Sequence, residues 1–169
     1  KGKKILLLMP GQSISQYKDE ILKKIEAENL FVITVNFRDE TFDKYSELAF
    51  WGSQKRYEHY TDLRKEVTSL ITSNIESDME DDIIVNYDSF VDRTQEYSDN
   101  ASLMLMRILQ RVGVVSYYVA GFDGFTVNGS YYNKTDFSEE RFRSQYESIN
   151  KGVAHQLSMF ADSLKHPED

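Results

Sequence analysis

Apolar residues in this chain fall into short unbroken runs separated by segments in which they recur every three or four positions. Lys4 to Met9 (KILLLM) is the first run, of a length that suits a strand buried on both faces. Pro10-Gly11-Gln12-Ser13 breaks it, and Tyr17, Ile21 and Ile25 then mark one face of a helix. Leu30 to Val35 (LFVITV) predicts a second strand that ends at Asn36. Ala49 to Gly52 is a short third strand ahead of a helix near Gln54 to Tyr60. Thr68 to Thr72 and Asp82 to Asn86 are the fourth and fifth. Asp99-Asn100 can cap a helix whose apolar face holds Leu105, Ile108, Leu109 and Val112, with Gly113 where a C-terminal glycine belongs. Val114 to Ala120 gives a sixth strand, followed by Gly121-Phe122-Asp123-Gly124. After a loop containing Tyr131 and Tyr132, a long amphipathic helix carries Phe142, Tyr146, Ile149, Val153, Leu157, Phe160 and Leu164. The tail from His166 to Asp169 is expected to fray.

Strands alternating with helices predict an α/β fold: a Rossmann-like, mostly parallel sheet with helices on both faces and a long C-terminal amphipathic helix. At 169 residues and 40% hydrophobic, residues 1–169 make a single domain with enough apolar material for a core. The net charge of −8 argues against a nucleic-acid partner or an anionic membrane surface, because phosphates would be repelled. No apolar run is long enough to span a bilayer. The absence of cysteine excludes disulfides, thiolate metal sites and a cysteine nucleophile from these residues, and fits a cytoplasmic compartment.

Open α/β sheets bind ligands beyond the carboxyl ends of their strands. The tips here hold Gly11, Gln12, Ser13, Asn36, Ser53, Asn74, Gly121 and Asp123, mostly small, hydroxyl or amide residues. Such groups exchange hydrogen bonds without adding charge, which suits a polar, largely neutral ligand such as a ribose or pyrimidine. Gly11 lets backbone approach a ligand and Ser13 opens a helix whose N-terminus favours an anion; equally, the two make only a turn and a helix cap. Neither GxGxxG nor GxxxxGK[ST] is present. Asp123, between two glycines, suits a ribose or metal contact, or a hydrogen bond to its own loop. Gln54-Lys55-Arg56 reads as a solvated helix face with a second use in meeting phosphate, and Glu76 to Asp82 (ESDMEDD) as a solvated acidic loop. His59, His155 and His166 lack metal-ligand spacing, so no metal and no cofactor are expected. His155 is the one histidine that could serve as a base, but its place two residues after Val153 reads more readily as flanking the apolar stripe, and no catalytic residue is assigned.

The stretches 4–15 (KILLLMPGQSIS), 31–38 (FVITVNFR), 50–60 (FWGSQKRYEHY), 70–76 (LITSNIE), 98–106 (SDNASLMLM) and 118–125 (YVAGFDGF) resemble a Rossmann-like domain that follows the barrel in bacterial aldolases of the HMG-CoA lyase-like, 4-hydroxy-2-oxovalerate aldolase type. The resemblance implies an accessory C-terminal domain, cut from a longer chain at Lys1, whose partner is the aldolase barrel of the same chain. The barrel, with its lyase chemistry, lies outside these residues. More distantly the layout is similar to bacterial sialyltransferases, which carry a Gly-Asn-Gly-Pro-Ser turn after the first strand and a Gly-x-Asp after a late one. Gly11, Ser13, Asn36, Ser102, Gly121 and Asp123 match that pattern, and Asn100 stands beside Ser102. This likeness implies a nucleotide or sugar-nucleotide ligand and, as an alternative, glycosyl transfer. Pro10 and Gln12 replace the Asn and Pro of the turn, and no histidine follows Asp123 until His155. A third reading is a docking or oligomerisation domain with no small ligand, using the last helix or the tyrosine-rich loop.

Overall fold

Each unbroken aliphatic run becomes a strand, and neighbouring strands bury one another's backbone. The computed structural model describes residues 2–94, 100–125 and 144–165. In chain order the strands are β1 (Ile5–Leu8), β2 (Phe31–Val35), β3 (Ser46–Trp51), β4 (Thr68–Thr72), β5 (Ile83–Val85) and β6 (Tyr117–Ala120). They form one six-stranded sheet in the order β5-β4-β3-β2-β1-β6, and every pairing is parallel. The chain steps outward from β1 to β5, then crosses back to lay β6 against the free side of β1. The direction of winding therefore reverses between β1 and β6.

The helices are α1 (Ser13–Gln16), α2 (Lys18–Glu28), α3 (Glu40–Asp43), α4 (Gln54–His59), α5 (Thr61–Arg64), α6 (Ala101–Arg111) and α7 (Tyr146–Lys165). Side chains alternate across a strand, so one aliphatic run feeds two cores. Leu6 and Leu8 pack with Ile14, Ile25, Phe42, Trp51 and Tyr57 on the face covered by α1 to α4. Leu7 and Met9 pack with Phe50, Leu103, Met104, Leu109 and Phe160 on the face covered by α6 and α7. This is the expected α/β, Rossmann-like arrangement with helices on both faces. None of the described helices is long and apolar enough to cross a membrane.

Several element details differ from the sequence pattern. β3 starts at Ser46, three residues before the expected Ala49, because β2 offers partners that far back. Val112 ends α6 as its C-cap and is 69% exposed instead of joining the apolar face. Gly113 follows in a left-handed conformation, φ 83°, as its place predicts. On α7, Leu157 is exposed while Gln156 beside it is fully buried, accepting from the Arg107 guanidinium of α6. A helix offers one narrow seam to its neighbour, and here a polar bridge between α6 and α7 holds the place that Leu157 was expected to take. Phe142, Tyr131 and Tyr132 lie outside the described residues.

The acidic stretch from Glu76 to Asp82 is organised more than a solvated loop. The Tyr57 hydroxyl donates to Asp82 and Asp78, and Ser77 also donates to Asp82. Burial, with Asp82 alongside, pushes the Tyr57 phenol upward. Among the described residues no cluster of His, Asp or Glu could hold a metal ion.

Candidate functional site

Beyond the last regular residue of β1 the chain keeps pairing with β6. Met9 donates its N–H to Ala120 O and Gly11 to Gly121 O, both at 2.9 Å. Two glycines make this approach possible. A Cβ on Gly11 would lie 2.3 Å from Gly121 O and 2.6 Å from Asp123 Oδ2. Gly121 has φ 76°, and a Cβ there would lie 2.0 Å from Met9 O.

The close passage sets Asp123 against the β1–α1 turn. Its Oδ2 accepts the Ser13 N–H at 2.6 Å and its Oδ1 accepts the Ser13 hydroxyl at 2.5 Å. The positive end of α1, expected to favour a ligand anion, is thus met by the protein's own carboxylate. Asp123 remains exposed on its outer side, with lone pairs left to accept from a further donor.

A second set of contacts closes the opposite wall. Asn36 adopts the left-handed conformation, φ 56°, which asparagine tolerates better than most residues. Its N–H donates to Phe50 O and its Oδ1 accepts the Gly52 N–H, both at 2.9 Å, so the ends of β2 and β3 are tied together. Gly52 packs on the start of α6, where a Cβ would come within 3.1 Å of Ala101 Cβ. Asn100 caps α6, its Oδ1 accepting from Leu103 N at 3.1 Å. From α7, Asn150 clamps the segment after β6: its Oδ1 accepts the Phe125 N–H at 2.9 Å and its Nδ2 donates to Phe125 O at 2.8 Å. The Phe125 ring stacks on Tyr146 with centroids 5.4 Å apart.

These segments enclose a cleft of about 310 Å³ at the carboxyl ends of β1, β2 and β6. Six of the residues singled out from the sequence line it together: Gly11, Asn36, Asn100, Ser102, Gly121 and Asp123. Four do not. Gln12 precedes α1 without a side-chain cap, and Ser13 holds Asp123 from behind. Ser53 begins α4, and the exposed Asn74 follows β4, three strands away from β1.

The cleft is less neutral and more apolar than the strand tips suggested. Its walls include Met9, Val35, Phe122, Phe125, Ile149 and Val153. Arg56 also lines it and is 9% exposed, whereas Lys55 beside it faces solvent, so the expected solvated basic patch is split between cleft and surface. The sequence offered Arg56 only as one of two adjacent cations after the Gly52-Ser53 turn, with nothing local to separate it from Lys55. Phe125 and Asn150 carried no signal, because their pairing joins residues 25 apart across two elements. His155 is exposed and does not line the cleft.

The resulting site is polarised. Asp123 stands at the β1/β6 end; Arg56 and the amino end of α6 stand at the β2/β3 end. Apolar side chains between them can cover the faces of a planar or ring-shaped group. No protein-family model, curated protein or solved structure matches the chain.

Proposed function

We propose that this domain binds a small polar ligand of the nucleotide or sugar-nucleotide class in the cleft at the carboxyl ends of β1, β2 and β6. One observation carries the reading: Gly11, Asn36, Ser102, Gly121 and Asp123, drawn from four separated stretches of sequence, border one cavity where the winding of the sheet reverses. That is where open parallel sheets hold ligands. A carboxylate for hydroxyl groups, apolar walls for a ring and a cationic far end are the components such a ligand needs. No tyrosine is among the described lining residues, which favours a small ligand over a plugged cleft used only for docking.

Under this reading the domain is the accessory, C-terminal part of an aldolase, as the sequence resemblance implies, and the lyase chemistry belongs to the barrel of the same chain. Binding is preferred to glycosyl transfer, which needs a base to activate the acceptor hydroxyl. No histidine is among the described lining residues.

The test is a titration of cytidine, uridine and adenine nucleotides followed by calorimetry and thermal melting. A ligand at a hundred times its dissociation constant stabilises the fold by about 2.7 kcal/mol, a readily measured shift in Tm. A flat response to the whole panel would refute the reading.

A further inference from the structure

The amino end of α6 has donors to spare. The first four N–H groups of a helix have no carbonyl partner within it. Here Leu103 N donates to Asn100 Oδ1 and Met104 N to Asn100 O. That leaves the N–H groups of Ala101 and Ser102, the two residues of α6 that line the cleft. Ser102 adds an independent feature. It is 8% exposed, and its hydroxyl makes no hydrogen bond with any described residue. Its oxygen is not sealed off from the cleft, so the hydroxyl is left to exchange a hydrogen bond with a group bound there.

Arg56 lies on the same wall. Gly52 touches Ala101, and α4 begins two residues after Gly52, so the turn of α4 that carries Arg56 starts beside the amino end of α6. Arg56, Ala101 and Ser102 thus border the same cleft, a cationic residue together with two helix N–H groups and a hydroxyl. The only carboxylate among the described lining residues, Asp123, stands at the other end and is engaged by Ser13. Donors converging from several directions suit a tetrahedral oxyanion, and a helix of 11 residues adds its dipole.

We propose that Ala101, Ser102 and Arg56 form an anion subsite for the phosphate monoester of the ligand, with its hydroxyl-bearing part directed to Asp123. The inference rests on the ligand-binding reading above and sharpens it: the ligand carries a terminal phosphate, and the phosphate sits on α6 instead of on the β1–α1 turn.

The experiment compares cytidine, uridine and adenosine 5′-monophosphates with their nucleosides, ribose 5-phosphate and inorganic phosphate, by calorimetry on the full chain. The monophosphates are expected to bind about tenfold or more tightly than the nucleosides, in keeping with two or more charge-assisted hydrogen bonds. Added salt should weaken the monophosphates and leave the nucleosides unchanged. Ser102→Ala should reduce phosphate-dependent binding alone. Ser102→Asp sets a carboxylate against the donors that would hold the phosphate. It should remove the preference for phosphate while nucleoside binding persists, which a purely structural role for Ser102 would not do.

Equal affinity for nucleosides and monophosphates would overturn the subsite and leave the ligand-binding reading standing. Binding of ribose 5-phosphate or inorganic phosphate that S102D abolishes, without nucleoside binding, would support the subsite and overturn the nucleotide class. No binding of any compound would overturn both.

Discussion

The β1–β6 passage depends on Gly121 for two separable reasons, and they can be measured apart. Gly121→Ala forces an L-residue into φ 76°, and it drives a methyl carbon to 2.0 Å from Met9 O and 2.9 Å from the Ile14 side chain. The left-handed backbone alone costs about 1–2 kcal/mol. The contact with Met9 O cannot be relieved by a rotamer change, because both partners are backbone. The tails must separate, giving up the Met9–Ala120 and Gly11–Gly121 hydrogen bonds, each worth about 1 kcal/mol net. The expected total is about 3–4 kcal/mol. Gly113→Ala is the matched control: φ there is 83°, yet nothing lies within 4 Å of the added carbon, so only the backbone cost of about 1–2 kcal/mol applies. Urea denaturation of the two variants beside the wild type gives both values. Should Gly121→Ala cost no more than Gly113→Ala, the tight β1–β6 passage that positions Asp123 is wrong.

Other consequences follow from the same contacts. Asn150→Ala removes both hydrogen bonds to the Phe125 backbone and should cost about 1–3 kcal/mol in urea denaturation, with hydrogen exchange at the Phe125 amide accelerating most. Asn36→Gly keeps the left-handed backbone accessible and loses only the acceptor for Gly52, whereas Asn36→Ala loses both; the second should be less stable than the first by about 1 kcal/mol, measured by the same titration. Hydrogen bonds from Lys24 and Lys4, then from Tyr118, lower the Glu28 carboxyl from 4.5 to about 2. A lowered folded-state value means that its stabilisation is present above pH 4.5 and is lost as pH falls toward 2. Wild type minus Glu28→Gln, followed by urea midpoint, should therefore shrink across that window; a constant difference would contradict the network.

The strands and their type were legible because a parallel sheet buried on both faces leaves an unmistakable mark. Leu6, Leu7 and Leu8 must all be apolar when alternate residues feed two cores. The capping of α6 by Asn100 and the left-handed turn at Gly113 were legible for a similar reason, since each is a local transaction between a side chain and its own backbone. α7 was only half legible. Its period showed in the sequence, but which residue fills the seam depends on Arg107 of another helix, and so Gln156 is buried and Leu157 is not.

The candidate site divides along the same line. The sequence by itself determined that small and amide residues end the strands, because those positions are set by the chain's own turns. It also marked Gly11 as a place where backbone can come close, though to a ligand and not to β6. Only the tertiary structure decided that β6 returns beside β1, which brings Asp123 onto Ser13 and turns the first helix end from an anion site into an occupied one. Only the tertiary structure placed Arg56 in the cleft and Asn74 outside it. The physical reason is range: hydrophobic periodicity and capping act over a few residues, whereas strand order and the side of a cavity on which a charge lies are fixed by contacts between segments about a hundred residues apart.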